Sequence, residues 1–309
     1  MAALTTLFPV FFMLALGFIS RMRGWITPEQ KAGANSIIFT ILFPILIFNL
    51  LATAEINLSS LTIVAYVLAC LIIATIIGKI VVPKLLPQYA HFAPFLLSVV
   101  EGGNVALPLY LSIVGTSSNT VIYDLAGTAM CFVIMPILVA KAAAGEQSVG
   151  DMVKSIFTNS FVIAVILGLF LNFTGLYAAL LNSQFGPMIS GAISNATTPI
   201  VPVILFILGY DLTVDKDTLA PILKLMSVKI VYYALVIAGF FVLFPGLMAD
   251  KTYMMAPIIY FMCPTGFGLM PVIAPLYKSE SDGAFTSAFV SLFMIVTLIV
   301  YTVVVVFIA

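Results

Sequence analysis

The sequence predicts an all-α polytopic membrane protein, ten transmembrane helices in two inverted five-helix repeats. Three observations predict it: a composition that cannot cover a water-soluble surface, ten apolar stretches of spanning length, and residue patterns that recur between the two halves. Of 309 residues, 63% are hydrophobic and 8% charged, with mean hydropathy +1.24, far from the composition of a soluble domain. Twelve basic residues balance twelve acidic ones and there is one histidine. No basic tract is present to neutralise phosphates, which excludes nucleic acid as a partner. Cys70, Cys131 and Cys263 lie inside apolar stretches without ligand spacing, so neither a disulfide frame, a metal site nor a cofactor is expected. No hydrolase, metalloprotease or phosphate-loop signature occurs, and an enzyme is not expected.

Crossing a bilayer takes about 20 apolar residues. Such windows fall at 4–20, 33–53, 61–86, 92–115, 119–141, 156–176, 185–209, 219–244, 253–277 and 283–307. The first lacks a small-residue cleavage site after it and reads as a retained helix. Under this reading Arg21, Arg23, Lys31, Lys79, Lys84, Lys141, Lys154, Lys216, Lys224, Lys229 and Lys278 share one side, and Lys251 alone takes the other. Basic residues near span ends stay cytoplasmic, which places both termini outside the cell membrane. Lys224 and Lys229 read as side chains that snorkel to the cytoplasmic face, and His91 as a solvated histidine at the start of span 4. Asn172, in an NFT sequon, stands at a membrane boundary and is discounted as a glycosylation site.

The linker AAAGEQSVGDMVKS, 142–155, separates a first repeat, 1–141, from a second, 156–309. Five spans is an odd number, so the second repeat enters the membrane inverted. The halves echo each other. Ser36, Thr40, Pro44 and Phe48 in span 2 recur as Ser194, Thr198, Pro202 and Phe206 in span 7, each set a single helical stripe. Pro94, Gly103 and Pro108 in span 4 recur as Pro257, Gly266 and Pro271 in span 9, with separations of nine and five residues in both. Leu16-Gly17 and Leu167-Gly168 add a weaker pair.

Spans 4 and 9 are expected to be broken. Glycine favours the residue after a helix end and proline the first turn of a helix, so Gly102-Gly103 before Pro108, and Gly266 and Gly268 before Pro271, write a stop followed by a start. Unwound backbone in a bilayer must line a polar cavity, because unpaired peptide groups there cost several kcal/mol each, roughly. Inversion turns the two new helix starts towards each other at the midplane. Each carries about half a positive charge, which suits an anion or a carboxylate.

Glu101 lies mid-span, where a carboxylate costs roughly 2.5–3.5 kcal/mol. It reads as a functional residue, alone or with Asn104 one turn on, and as a proton switch if it takes up a proton. Its other reading is a protonated tie for the broken backbone. Asp124 in span 5 reads either as an interfacial cap or as a second proton or ion site. Ser190, Ser194, Asn195, Thr197 and Thr198 crowd span 7, where hydroxyls also bond back to their own helix; Ser194 and Thr198 gain weight from the repeat, and with their matches Ser36 and Thr40 they are expected to contribute to the substrate site. Pro264, Thr265 and Gly266 complete the expected cradle from span 9.

The stretches EGGNVALPL, 101–109, and CPTGFGLMP, 263–271, in a chain of ten spans with a central linker, resemble the auxin efflux carrier family of bacterial carboxylate permeases and plant auxin carriers. The resemblance covers essentially the whole chain. It implies a scaffold of spans 1, 2, 6 and 7, a moving domain of spans 3–5 and 8–10 as in bile acid sodium symporters, elevator-type transport, and, as in many members, a homodimer through the scaffold. It implies an organic anion as substrate, a carboxylate or auxin-like acid. One position departs: Asn commonly stands seven residues before the span 4 proline, and this chain has Glu101 there. The expected function is therefore a proton-coupled carrier of a small organic acid. Its rivals are sodium coupling, with the ion held by carbonyls of the breaks together with Glu101 or Asn104, and a ligand sensor that does not transport.

Overall fold

A computed structural model describes residues 2–54, 58–115, 119–143, 158, 160–211, 219–266 and 268–309. All but the first two residues of the expected linker lie outside them. Helix dominates, and among the described residues the only extended pairing is one isolated bridge. Among the described residues, six helical stretches are long and apolar enough to cross a membrane: Pro28–Ala52, Ser60–Leu85, Asn119–Val139, Gly186–Ile207, Leu219–Leu243 and Glu280–Phe307. The protein is a polytopic, all-helical membrane protein.

Two packing groups emerge. In the first, the Ala2–Arg23 helix runs along Ile200–Asp211, and Phe43–Ala52 runs along Ser160–Phe173. Lipid offers no hydrophobic drive for such pairing, so close backbone approach has to supply it. Glycine permits the approach: a Cβ on Gly17 would overlap the Phe206 carbonyl, and one on Gly168 would press on the Phe48 carbonyl. These are the glycines and phenylalanines that echo between the halves. Asn172 caps the same pair, its amide donating to the carbonyls of Leu51 (3.0 Å), Ala52 (3.2 Å) and Ala54 (2.7 Å) at the end of the Phe43–Ala52 helix, where carbonyls lack helical partners.

In the second group, Leu58–Leu85 packs on Asn119–Ala129, and Lys251–Phe261 packs on Leu219–Leu243 and Glu280–Phe307. Its centre is aromatic, with Tyr123, Tyr233, Phe240, Tyr260 and Phe261 buried in mutual contact. Such ring pairs contribute about 0.5–1.5 kcal/mol each beyond their buried area. Tyrosine hydroxyls stitch the helices by donating to carbonyls across the group: Tyr66 to Val236 (2.9 Å), Tyr233 to Leu97 (2.7 Å) and Tyr110 to Thr252 (2.9 Å).

His91 is not solvated. It is half-buried, its Nε2 lies 2.8 Å from Asp282 Oδ2, and its ring packs on Phe92. The same carboxylate oxygen accepts the Lys278 N–H at 2.8 Å, so the pair ties the start of span 4 to the start of the last helix.

Candidate functional site: a cavity at two crossed chain breaks

Residues 98–101 and 262–266 leave the helical conformation, and there the two segments cross. Val100 and Thr265 form the antiparallel bridge. The Glu101 N–H donates to the Pro264 carbonyl at 2.9 Å, and the Gly266 N–H to the Val99 carbonyl at 3.4 Å. Backbone groups that the breaks release are thus partly satisfied by each other, which is how unwound chain is tolerated at membrane depth.

The break in span 4 stands upstream of where the glycines place it. Before it comes a 3₁₀ turn, Ala93–Leu97; after it, helix resumes at Gly102 as a π-turn, Gly102–Ala106, and continues as Leu107–Val114. Gly102 and Gly103 therefore begin the second half-helix. Their lack of a side chain serves packing: a Cβ on Gly102 would overlap the Asp124 carboxylate and the Tyr260 ring, and one on Gly103 would press on the Phe43 ring. Pro108 is the second residue of the Leu107–Val114 helix, buried and outside the cavity lining. In span 9, Lys251–Phe261 stops, and a helix of five residues, Leu269–Ile273, follows with Pro271 inside it. The side chains of Asn104 and Pro271 lie outside the described residues.

Beside the crossing is a cavity of about 390 Å³. One wall is the break of span 4, Val99 to Gly103, with Glu101 buried in it. A second is the face Asp124, Gly127, Thr128, Cys131 and Phe132. Asn35, Thr40 and Phe43 form a third, and Ser160, Gly266 and Gly268 complete it. The structure so brings Glu101, Asp124, Gly103, Thr40 and Gly266 together. The Tyr260 ring and the Asp124 carboxylate both lie over Gly102, and the Tyr260 hydroxyl donates to the Tyr123 carbonyl at 3.4 Å. Asp124 is half-buried and faces inward, five residues after the Asn119 start of its helix, because the half-helix it packs on begins only at Gly102.

Other expected residues stand elsewhere. Ser36, Ser194 and Thr198 are exposed and do not line the cavity; the Thr198 hydroxyl donates to the Ser194 carbonyl at 2.7 Å, one turn back. Pro264 and Thr265 are buried behind the wall. The Thr265 hydroxyl donates to the Leu96 carbonyl and accepts from Lys229 Nζ at 2.8 Å.

Lys229 corrects the snorkelling expectation. It has no exposed surface, and its ammonium lies over the rings of Phe293 (4.9 Å), Tyr233 (5.8 Å) and Phe289 (5.9 Å). Five residues separate it from exposed Lys224, about 140° around a helix, so the two point to opposite sides. Ring faces and a hydroxyl replace part of the lost hydration.

Asn35, Phe43, Thr128, Phe132 and Ser160 escaped sequence reasoning. Three walls share a feature: π-turns at Ile38–Leu42, Gly102–Ala106 and Met130–Ile134 contain the lining residues Thr40, Gly102 and Gly103, and Cys131 and Phe132. Such bulges recur at functional sites, but no residue pattern announces them.

Residues 2–156, half of the chain, match the membrane transport protein family. The chain belongs to that family, the auxin efflux carriers. As a family member it is a membrane transporter, and the matched region contains both carboxylates and all three π-turns. No curated protein matches the chain.

Proposed function

We propose that this auxin efflux carrier family member is a secondary active transporter, driven by protons, that carries a small organic solute through the cavity at the crossed breaks by elevator-type alternating access. One observation carries the reading. Two interrupted segments meet backbone to backbone beside a cavity into which two carboxylates project. Neither an interruption nor a buried carboxylate is stable in lipid without a use.

The ten spans, the inverted halves 1–141 and 156–309, the cell membrane location with termini outside, and a dimer through the scaffold belong to the same proposal. What supports the halves is the matched approach of Gly17 to Phe206 and Gly168 to Phe48. What supports a moving domain is the separate packing of the aromatic group that contains both breaks.

The mechanism follows from charge. A carboxylate crossing the bilayer centre uncompensated is costly, roughly 2.5–3.5 kcal/mol on insertion scales. The loaded cavity must therefore present a lower net charge than the empty, deprotonated one, and the two carboxylates tie movement to occupancy. Protonation or a counter-charge licenses the crossing.

Proteoliposomes carrying a pH-sensitive dye and a panel of organic acids and amines test the reading. Solute-dependent proton movement is expected, and Glu101→Gln should reduce it to the leak of empty liposomes. Binding without flux favours a sensor. Flux that follows sodium and ignores pH places the coupling on sodium.

A further inference from the structure

The cavity is open at one end and shut at the other, and two of its walls agree on which. Along span 2, Asn35 is half-buried and Thr40 exposed, whereas Phe43, Ile47 and Leu51 are buried. Along span 5, Phe132 and Thr128 are half-buried, whereas Tyr123 and Thr120 are buried. The open end lies towards Lys31, one turn before Asn35, and towards Lys141 at the far end of span 5. Basic residues at span ends mark the cytoplasmic side. Away from those lysines, the Phe43–Ala52 helix packs on Asn119–Ala129, and Leu107–Val114 packs on Ala2–Arg23 and on Ile200–Asp211. There the two packing groups meet and the cavity ends.

One side chain stands where exposure along span 2 drops out. Phe43 lines the cavity, belongs to the first packing group, and directly follows the π-turn Ile38–Leu42, with Pro44 after it. Its ring rests on Gly103, where a Cβ would stand 3.0 and 3.1 Å from two ring carbons. Gly103 lies in the turn that opens the half-helix after the first break, and that half-helix packs on Lys251–Phe261 of the second group. A ring from one group therefore touches bare backbone that moves with the other. Small residues let packed helices approach closely, and packed helices that slide past each other are a recurring route to domain motion.

We infer that Phe43 is the outer gate of the cavity: its ring, seated on Gly103, closes the side away from the basic span ends, and the moving domain changes sides by carrying Gly103 past that ring. The inference rests on the transport reading and adds the residue that decides which side a solute reaches. In this structure that side is the cytoplasmic one.

The test reads access and needs no solute. Full-length protein in membrane vesicles of each orientation is treated with a charged, membrane-impermeant thiol reagent, and modification of Cys131, which lines the cavity, is followed by mass spectrometry. Thr128→Cys supplies a second, less buried reporter in the same wall, and Cys70 and Cys263, buried and outside the lining, serve as controls. Modification should be faster from the cytoplasmic face. Phe43→Ala should raise the rate from the outer face about tenfold, which takes only about 1.4 kcal/mol off the advantage of the closed state. Phe43→Leu should act in the same direction to a smaller extent, and it guards against an alanine variant that misfolds. Gly103→Ala crowds the ring and should also raise outer modification. Combined with Phe43→Leu it should give less than the product of the two effects, because both act on one contact. Outer modification that stays at the wild-type rate in both Phe43 variants overturns the gate and leaves the transport reading standing. Equal rates from both faces in the wild-type chain, or none from either, overturn the one-sided cavity and the gate with it. One-sided access that responds to Phe43, in a protein without solute-dependent flux, removes the transport reading instead, and with it the passage of Gly103 beyond the ring.

Discussion

The two chain breaks share a Pro, Gly, Pro skeleton but have different surroundings. The first, 98–101, opens on the cavity: Glu101 is part of the wall, Asp124 leans on the glycines that follow, and π-turns on either side feed it Thr40, Phe43 and Phe132. The second, 262–266, is mostly walled in. Thr265 is fixed between the Leu96 carbonyl and Lys229, Cys263 donates to the Ile259 carbonyl, and among the described residues those of this segment that reach the cavity, Gly266 and Gly268, bring no side chain. One break presents chemistry and the other supplies a rigid backing against which that chemistry is held. A duplicated scaffold can keep its geometry while only one copy retains polar groups for a solute.

The largest expected effect separates the breaks at their glycines. In Gly102→Ala the new methyl would overlap the Asp124 carboxylate and the Tyr260 ring, so one of them must leave. Solute-dependent proton flux should fall to background, with a loss of stability of about 1–3 kcal/mol from overpacking. Gly268→Ala meets Cys131 Sγ and the Phe132 ring at 3.4 Å, an ordinary contact, and should keep most of the flux. Equal losses in the two variants, measured in the same proteoliposomes, would erase the distinction between the breaks.

That asymmetry was half legible in the sequence. Gly-then-Pro order in spans 4 and 9 located both interruptions to within a few residues, because helix-ending and helix-starting preferences are local. That they meet was also readable, from the inversion of the halves that turns the two helix starts towards each other. Which side of the glycines the chain unwinds was not, because the glycines also serve close packing against Asp124 and Tyr260, which arrive from other helices. Lys229 was misread for a similar reason. Distance from a span end says how far a lysine can reach, but the side of the helix it leaves from is set by tertiary packing. Ser194 and Thr198 carried an internal match, yet they stand exposed outside the cavity while Phe206 of the same stripe faces Gly17, and the three π-turns have no sequence signal.

A second prediction bears on the backing. Lys229→Ala removes a fully buried side chain, leaves Thr265 without its donor and opens a void among Phe289, Phe293 and Tyr233. Thermal unfolding in detergent should register a loss of about 2–4 kcal/mol, in the range of large-to-small core changes. Lys224→Ala, one turn away and exposed, should shift stability by less than about 0.5 kcal/mol. Lys229→Met restores most of the volume and should recover most of the stability. If Met is as damaging as Ala, the ammonium's bond to Thr265 outweighs its bulk, and the second break depends on a charge as much as the first.

The smallest expected effect concerns matched hydroxyls of the echoing stripes. Thr40 and Thr198 occupy equivalent positions in the sequence repeat, yet Thr40 lines the cavity while Thr198 spends its hydrogen on the Ser194 carbonyl of its own helix. Thr40→Val should weaken solute binding about 2–10-fold, the equivalent of one hydrogen bond worth 0.5–1.5 kcal/mol. Ser194→Ala removes an exposed hydroxyl outside the cavity and should leave affinity unchanged and stability within about 0.5 kcal/mol. Because both are single hydroxyl deletions in the same scaffold, the difference isolates placement from chemistry. A solute affinity as sensitive to Ser194 as to Thr40 would mean that both halves contribute polar groups, and that the site extends beyond the first break along the second stripe.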